Sequence, residues 1–165
     1  MRSKGKGTEM IDDKLIVSLN VVGLPVAQPR HKVRIVNPAK VKGKGKPKPF
    51  AMHYIEGDHP IHRWKNDIES QSIAAMQETP PTTAALKVYI LFVMQRPATK
   101  RWKTKPMPRE VHTSKPDLDN LAKAVLDAMS TIVYLDDRQV ARLSLEKQIA
   151  SGDEEPHAII TVMKL

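Results

Sequence analysis

The sequence predicts an α+β domain in which a mixed β-sheet of about four strands carries two main helices. Three observations lead there. Runs at 14–22, 86–94, 139–149 and 157–165 have strand length and are rich in Val, Ile and Leu. The segment 61–77 and the stretch from Leu118 to Met129 repeat their apolar residues at helical spacing. Basic stretches broken by Gly and Pro lie between them, giving the order strand, basic loop, helix, strand, basic loop, helix, strand, strand.

Residues 1–13 read as a flexible N-terminal arm and 14–165 as one domain, with basic loops at 28–49 and 96–116. The first strand, Lys14–Val22, is stopped by Gly23 and Pro25. Arg30, Lys32, Arg34, Lys40, Lys42, Lys44, Lys46 and Lys48 then follow with no acid among them. From Lys42 to Pro49, Gly or Pro interrupts every other position, which excludes helix and strand interior and predicts a cationic loop.

In the first helix Ile61, Trp64, Ile68, Ala75 and Met76 fall near one side, with Trp64 as a core anchor and Thr79-Pro-Pro81 as the stop. His59 and His62 lack a third ligand nearby and read as surface or hydrogen-bonding residues. Leu86–Met94 is apolar almost throughout and predicts a central strand buried on both faces. The second basic segment holds Arg96, Lys100, Arg101, Lys103, Lys105 and Arg109. A hairpin turn centred on Gly152 is expected between the last two strands.

Composition narrows the function. The 165 residues carry a net charge of +9, and a basic chain of this size gathers polyanions, most commonly nucleic acid. There is no cysteine, which excludes disulfides and Cys-type zinc sites and fits a cytoplasmic location. No apolar run reaches the roughly 20 residues of a membrane span.

Against this basic background stand clustered acids. Asp117 and Asp119 lie at the mouth of the second helix, whose stripe of Leu118, Leu121, Ala122, Val125, Leu126 and Met129 faces a core. Asp119, Lys123 and Asp127 step by four along the other side, and Asp136-Asp137 precede the next strand. Bare carboxylates repel phosphate, and a divalent cation resolves the conflict. Mg²⁺ takes carboxylate, water and phosphate oxygens, and it activates water and steadies the leaving oxygen. A nearby ammonium such as Lys123 stabilises transition-state charge. Each piece also has a plainer reading: Asp119 as a helix cap, the i,i+4 series as a salt-bridge ladder, Asp136-Asp137 as a turn. A basic protein that binds branched DNA or RNA without cutting it would share the composition but would gain nothing from these acids.

Lys115-Pro-Asp-Leu-Asp-Asn-Leu-Ala-Lys-Ala-Val-Leu-Asp127, followed by Asp136-Asp-Arg-Gln-Val140, resembles the signature of the RusA family of Holliday junction resolvases, common in phages and prophages. Gly23-Leu-Pro-Val-Ala-Gln-Pro-Arg30 is similar to that family's first strand-to-loop turn. The resemblance implies a homodimeric endodeoxyribonuclease, a hydrolase of phosphodiester bonds. It would make paired symmetric nicks in four-way DNA with Mg²⁺, or Mn²⁺ in its place, in recombination and repair. It implies metal binding by Asp117, Asp119 and Asp137 with Asp136 in addition, and Lys123 as the catalytic lysine. Asp127 would support Lys123, and Asn120 would support the helix mouth by hydrogen bonding to a ligand acid. DNA would be held by Arg30, Lys32, Arg34, Lys42, Lys44, Lys46 and Lys48, and by Arg101, Lys103 and Lys105. One departure is visible: Ser130-Thr131 stand where many relatives carry glycine, which suits a left-handed turn.

Overall fold

A computed structural model describes residues 14–39 and 47–165. The strands are β1 (Leu15–Val22), β2 (Lys32–Val36), β3 (Phe50–Tyr54), β4 (Leu86–Met94), β5 (Glu110–Val111), β6 (Val140–Ile149) and β7 (His157–Lys164). The helices are α1 (Ile61–Met76) and α2 (Leu118–Met129). The main sheet has five strands in the order β1-β7-β4-β6-β5. β6 runs parallel to β4, and the other pairings are antiparallel. The α+β class with a mixed sheet therefore holds, with five strands where about four were expected.

Period-two alternation builds the core. Val17, Leu19 and Val21 of β1, Val88, Ile90 and Phe92 of β4, and Ala158, Ile160 and Val162 of β7 all turn to one face. There they meet Ile61, Trp64 and Ile68 of α1 and Leu121, Val125 and Met129 of α2. Each of these larger side chains contributes about 1.5–3 kcal/mol by leaving water. The α1 stripe runs through Ser72 to Met76, while Ala75 is exposed, so the expected inward position of Ala75 is corrected. Ser72 takes that place because residues four apart from Ile68 to Met76 share one line down the helix. Leu91, Val93 and Ala150 form a smaller cluster on the opposite face.

Two expectations at loops are corrected. β6 and β7 do not form a hairpin, because β4 lies between them, hydrogen-bonded to both. An all-apolar strand buries most at the centre of a sheet, so the segment around Gly152 has to cross the end of β4. The basic stretch 28–49 is not all loop either, since β2 pairs with β3 as a separate two-stranded ribbon. Lys32-Val-Arg-Ile-Val36 alternates polar and apolar, and this period supports a strand despite the charge. Residues 1–13 and Lys40, Lys42, Lys44 and Lys46 lie outside the described residues. Among the described residues, no helix is long and apolar enough to cross a membrane.

Candidate active site at the start of the second helix

A parallel β4–β6 pair needs a crossover, and α2 supplies it. Its start therefore sits near the far ends of those strands, and its end sits near the beginning of β6. Lys147 of β6 donates to the carbonyls of Ser114, at 2.7 Å, and Pro116, fixing the approach to α2. From the other side, the Gln28 amide donates to the Asn120 carbonyl at 2.9 Å. Between these two clamps stands Asp117, the N-cap of α2.

An aspartate at an N-cap ordinarily spends its carboxylate on the first free amides of the helix. Asp117 makes no such bond. Asp119, in the first turn, is exposed like Asp117. Lys123 follows one turn later, exposed, and no ion pair among the described residues engages it. Among the described residues, two carboxylates and an ammonium thus stand without partners along the first turns of α2, where the helix dipole also favours negative groups. Beside them Leu118, Leu145, Val111 and Lys147 line an open depression of about 540 Å³.

The remaining acids stand elsewhere. Asp127 is paired with Lys65 of α1 at 3.2 Å, so Lys65 takes the place expected of Lys123. The α1–α2 packing decides this, because it brings Lys65 across to the C-terminal half of α2. The Tyr134 hydroxyl donates to the Leu126 carbonyl, and both Asp127 and Asp137 raise its pKa, although burial raises it most. Asp137 leads directly into β6, whose Val140 pairs with Leu86 at the start of β4, so it stands toward the far end of the crossover helix α2. Along the axis, Asp119 and Asp127 are already about 12 Å apart at 1.5 Å per residue. Asp136 caps the short turn Asp137–Gln139, accepting from the Arg138 amide while the Gln139 side chain accepts from the Asp136 amide. The Arg138 guanidinium and amide hold the Asp136 carboxyl down at about 2. Among the described residues, no three His, Asp or Glu side chains converge as a metal cluster. Asn120 contributes its main-chain carbonyl, and its side chain makes no hydrogen bond among the described residues to a ligand acid.

A family model for the endodeoxyribonuclease RusA matches residues 23–163. The chain belongs to the RusA endodeoxyribonuclease family. It is also similar to an uncharacterized protein, YqaN of Bacillus subtilis (strain 168), with 29% identity over 157 residues, covering 90% of this chain and 96% of that one.

A RusA-family nuclease also needs cations that can meet phosphate. Arg30, Arg34, Lys48, Arg101, Lys103 and Lys105 are exposed and enter no ion pair among the described residues. Lys32 is exposed but held by Glu56, whose hydrogen bond raises its pKa. The second basic segment divides. Arg96 is 2% exposed and donates to the carbonyls of Ala150, Lys100 and Pro108 and to Glu110. Lys100 also binds Glu110, and Arg109 binds Glu154. These three cations fix the loop, and only the tip of the segment is free for DNA.

Sequence reasoning missed the structural tasks of Arg96, which ties the second basic segment, of Lys65, which joins α1 to α2, and of Lys147, which fixes the approach to α2. Lys147 carried a signal, because it shares its face of β6 with Leu145, two residues before it and packed partly against the core. Trp102 was missed too: it is 42% exposed and flanked by Arg101 and Lys103, an aromatic among cations as single-stranded nucleic acid favours.

Proposed function

We propose that this RusA-family protein is a Mg²⁺-dependent Holliday junction resolvase that works as a homodimer and nicks two opposed strands of a four-way junction. The observation that carries the reading is the carboxylate pair Asp117 and Asp119 beside Lys123, all three without an ion pair among the described residues, on a chain of net charge +9. A pair of hard oxygen donors suits Mg²⁺, which keeps most of its shell for water and phosphate oxygens. In this reading Asp117 and Asp119 hold the ion, which when bound supplies an activated water and steadies the leaving oxygen. Lys123 offsets negative charge that builds on the phosphate.

Within one chain Asp137 stands toward the opposite end of α2 from that pair. Two-fold pairing of protomers gives it a role, since an acid remote from its own chain's site can serve the neighbour's. The exposed Arg and Lys residues hold duplex arms through phosphates, which selects DNA by shape more than by base sequence.

The deciding experiment sets a synthetic four-way junction, a matched duplex and a flap against the protein, in Mg²⁺, Mn²⁺ or EDTA. Paired nicks in the junction only with a divalent ion, lost in an Asp119→Asn variant that still binds, are the expected result. Tight binding without cleavage of any substrate would leave a branched-DNA binder and remove the resolvase reading.

A further inference from the structure

The β2–β3 ribbon is an unusual object to leave in water. Val33, Ile35, Phe50 and Met52 are 58%, 68%, 54% and 49% exposed. A two-stranded ribbon without a third strand or a helix to pack on is only marginally stable. The register puts Arg34 opposite Met52 and Val36 opposite Phe50 on one face, and Val33 opposite His53 and Ile35 opposite Ala51 on the other. Apolar side chains therefore project from both faces. A protein partner seated on one face would leave the other wet.

Charge narrows the occupant further. From Arg30 to Tyr54 there are eight Lys and Arg residues and no Asp or Glu. The occupant is then a polyanion that offers apolar planes on two sides of a slot. An opened DNA branch point has this character: base-pair faces look inward from neighbouring arms, and phosphates rim the gap. Apolar side chains that wedge between base steps hold DNA kinked in other settings.

We propose that the β2–β3 ribbon is a wedge for the centre of branched DNA, with Phe50 and Met52 against the bases of one arm, Val33 and Ile35 against those of the next, and Arg34 on a flanking phosphate. The proposal rests on the junction-binding reading above and names the part of the protein that tells a junction from a duplex. Duplex DNA has no open step for the wedge, so only binding to branched DNA depends on it.

The test uses four-way junctions carrying 2-aminopurine at the branch point, in EDTA so that nothing is cut. Wild type is expected to raise the fluorescence by unstacking the probe. Phe50→Ser/Met52→Ser and Val33→Ser/Ile35→Ser variants should lose that rise and bind the junction about tenfold or more weakly, given the usual worth of a stacked base. Their duplex affinity and melting temperature should stay near wild type, and Phe50→Trp should keep the signal. Variants that retain both the fluorescence rise and the junction preference overturn the wedge, and if wild type also cuts junctions with Mg²⁺ the resolvase reading survives alone. Variants that fall to a smaller species in sedimentation also overturn it, because the ribbon then packs on a second copy. A wild type that binds junction and duplex alike also overturns the wedge, whereas the resolvase reading falls only if no junction is cut with Mg²⁺.

Discussion

Lys147 donates to the main-chain carbonyl of Pro116, the residue immediately before Asp117. The ammonium comes from β6, so the sheet itself sets where the first acid of the site stands. Removing such a support typically lowers metal affinity or activity 10–100-fold. Lys147→Met is therefore expected to need more Mg²⁺ for half-maximal nicking, with Lys147→Arg restoring part of the loss. A Mg²⁺ titration of cleavage, run beside a melting curve, checks this. An unchanged Mg²⁺ midpoint would reduce Lys147 to a stabilising residue.

Asp117 and Asp119 stand at one end of α2 and Asp137 toward the other, so under the proposed homodimer a mixture of two variant chains is informative. Asp119→Asn and Asp137→Asn chains, each inactive alone, should recover nicking when mixed and allowed to exchange. No recovery would mean that all the acids act within one protomer.

Arg96 is a cation with a structural task. Arg96→Met should destabilise the protein by on the order of 3 kcal/mol, the usual cost of breaking a buried charged network, and Arg96→Lys should rescue it poorly. Chemical denaturation measures the loss. Arg101→Ala should do the reverse, weakening DNA binding and its salt dependence while leaving stability alone.

The backbone at Thr131 has φ = 67°, a left-handed conformation that disfavours a β-branched residue, and its amide donates to Tyr134 at 2.7 Å. The departure from glycine noted in the sequence thus changes the residue and keeps the left-handed turn. Thr131→Gly should stabilise by up to about 1 kcal/mol, the strain relieved less the added freedom of the unfolded chain. An unchanged denaturation midpoint would show that the turn carries no such strain.

The Glu154 carboxyl is held down at about 2, chiefly by hydrogen bonding to Arg109 and also by Ser151, despite some burial. A depressed folded pKa adds stability that is full above the unfolded value near 4.3 and is lost as pH falls through the folded one. Wild-type melting temperature should therefore drop between about pH 4.5 and pH 2. Glu154→Gln should be less stable at neutral pH and show a shallower acid slope. Parallel slopes for the two proteins would exclude the pair as a source of acid sensitivity.

What could be read in advance was what repeats along the chain. The strands Leu15–Val22 and Leu86–Met94 follow from runs of strand length rich in β-branched and apolar residues, and both helices from a period of 3.6. The Asp117-Leu-Asp119 mouth was legible because a motif is contiguous. Lys147 and Arg96 act across 31 and 54 residues, on Pro116 and Ala150, and no local pattern encodes which carbonyl a cation will reach. The hairpin expected at Gly152 failed for the same reason: turn chemistry is local, whereas the centre of the sheet goes to the strand with most to bury. β2 was hidden by composition, its alternation masked by Lys32 and Arg34, cations that also suit a loop.

The order β1-β7-β4-β6-β5 has a consequence for how the chain comes off the ribosome. β7 follows every other described strand in sequence and lies between β1 and β4, so it is both the last to be made and the seam that joins them. Until it emerges, β1 has no neighbour in the main sheet, and one edge of β4 stays open with its apolar side chains uncovered. Non-local pairing of this kind is slow, and unpaired edges are where nascent chains aggregate. A stalled or truncated product that ends before His157 would thus carry the whole acidic helix mouth on a sheet that cannot close.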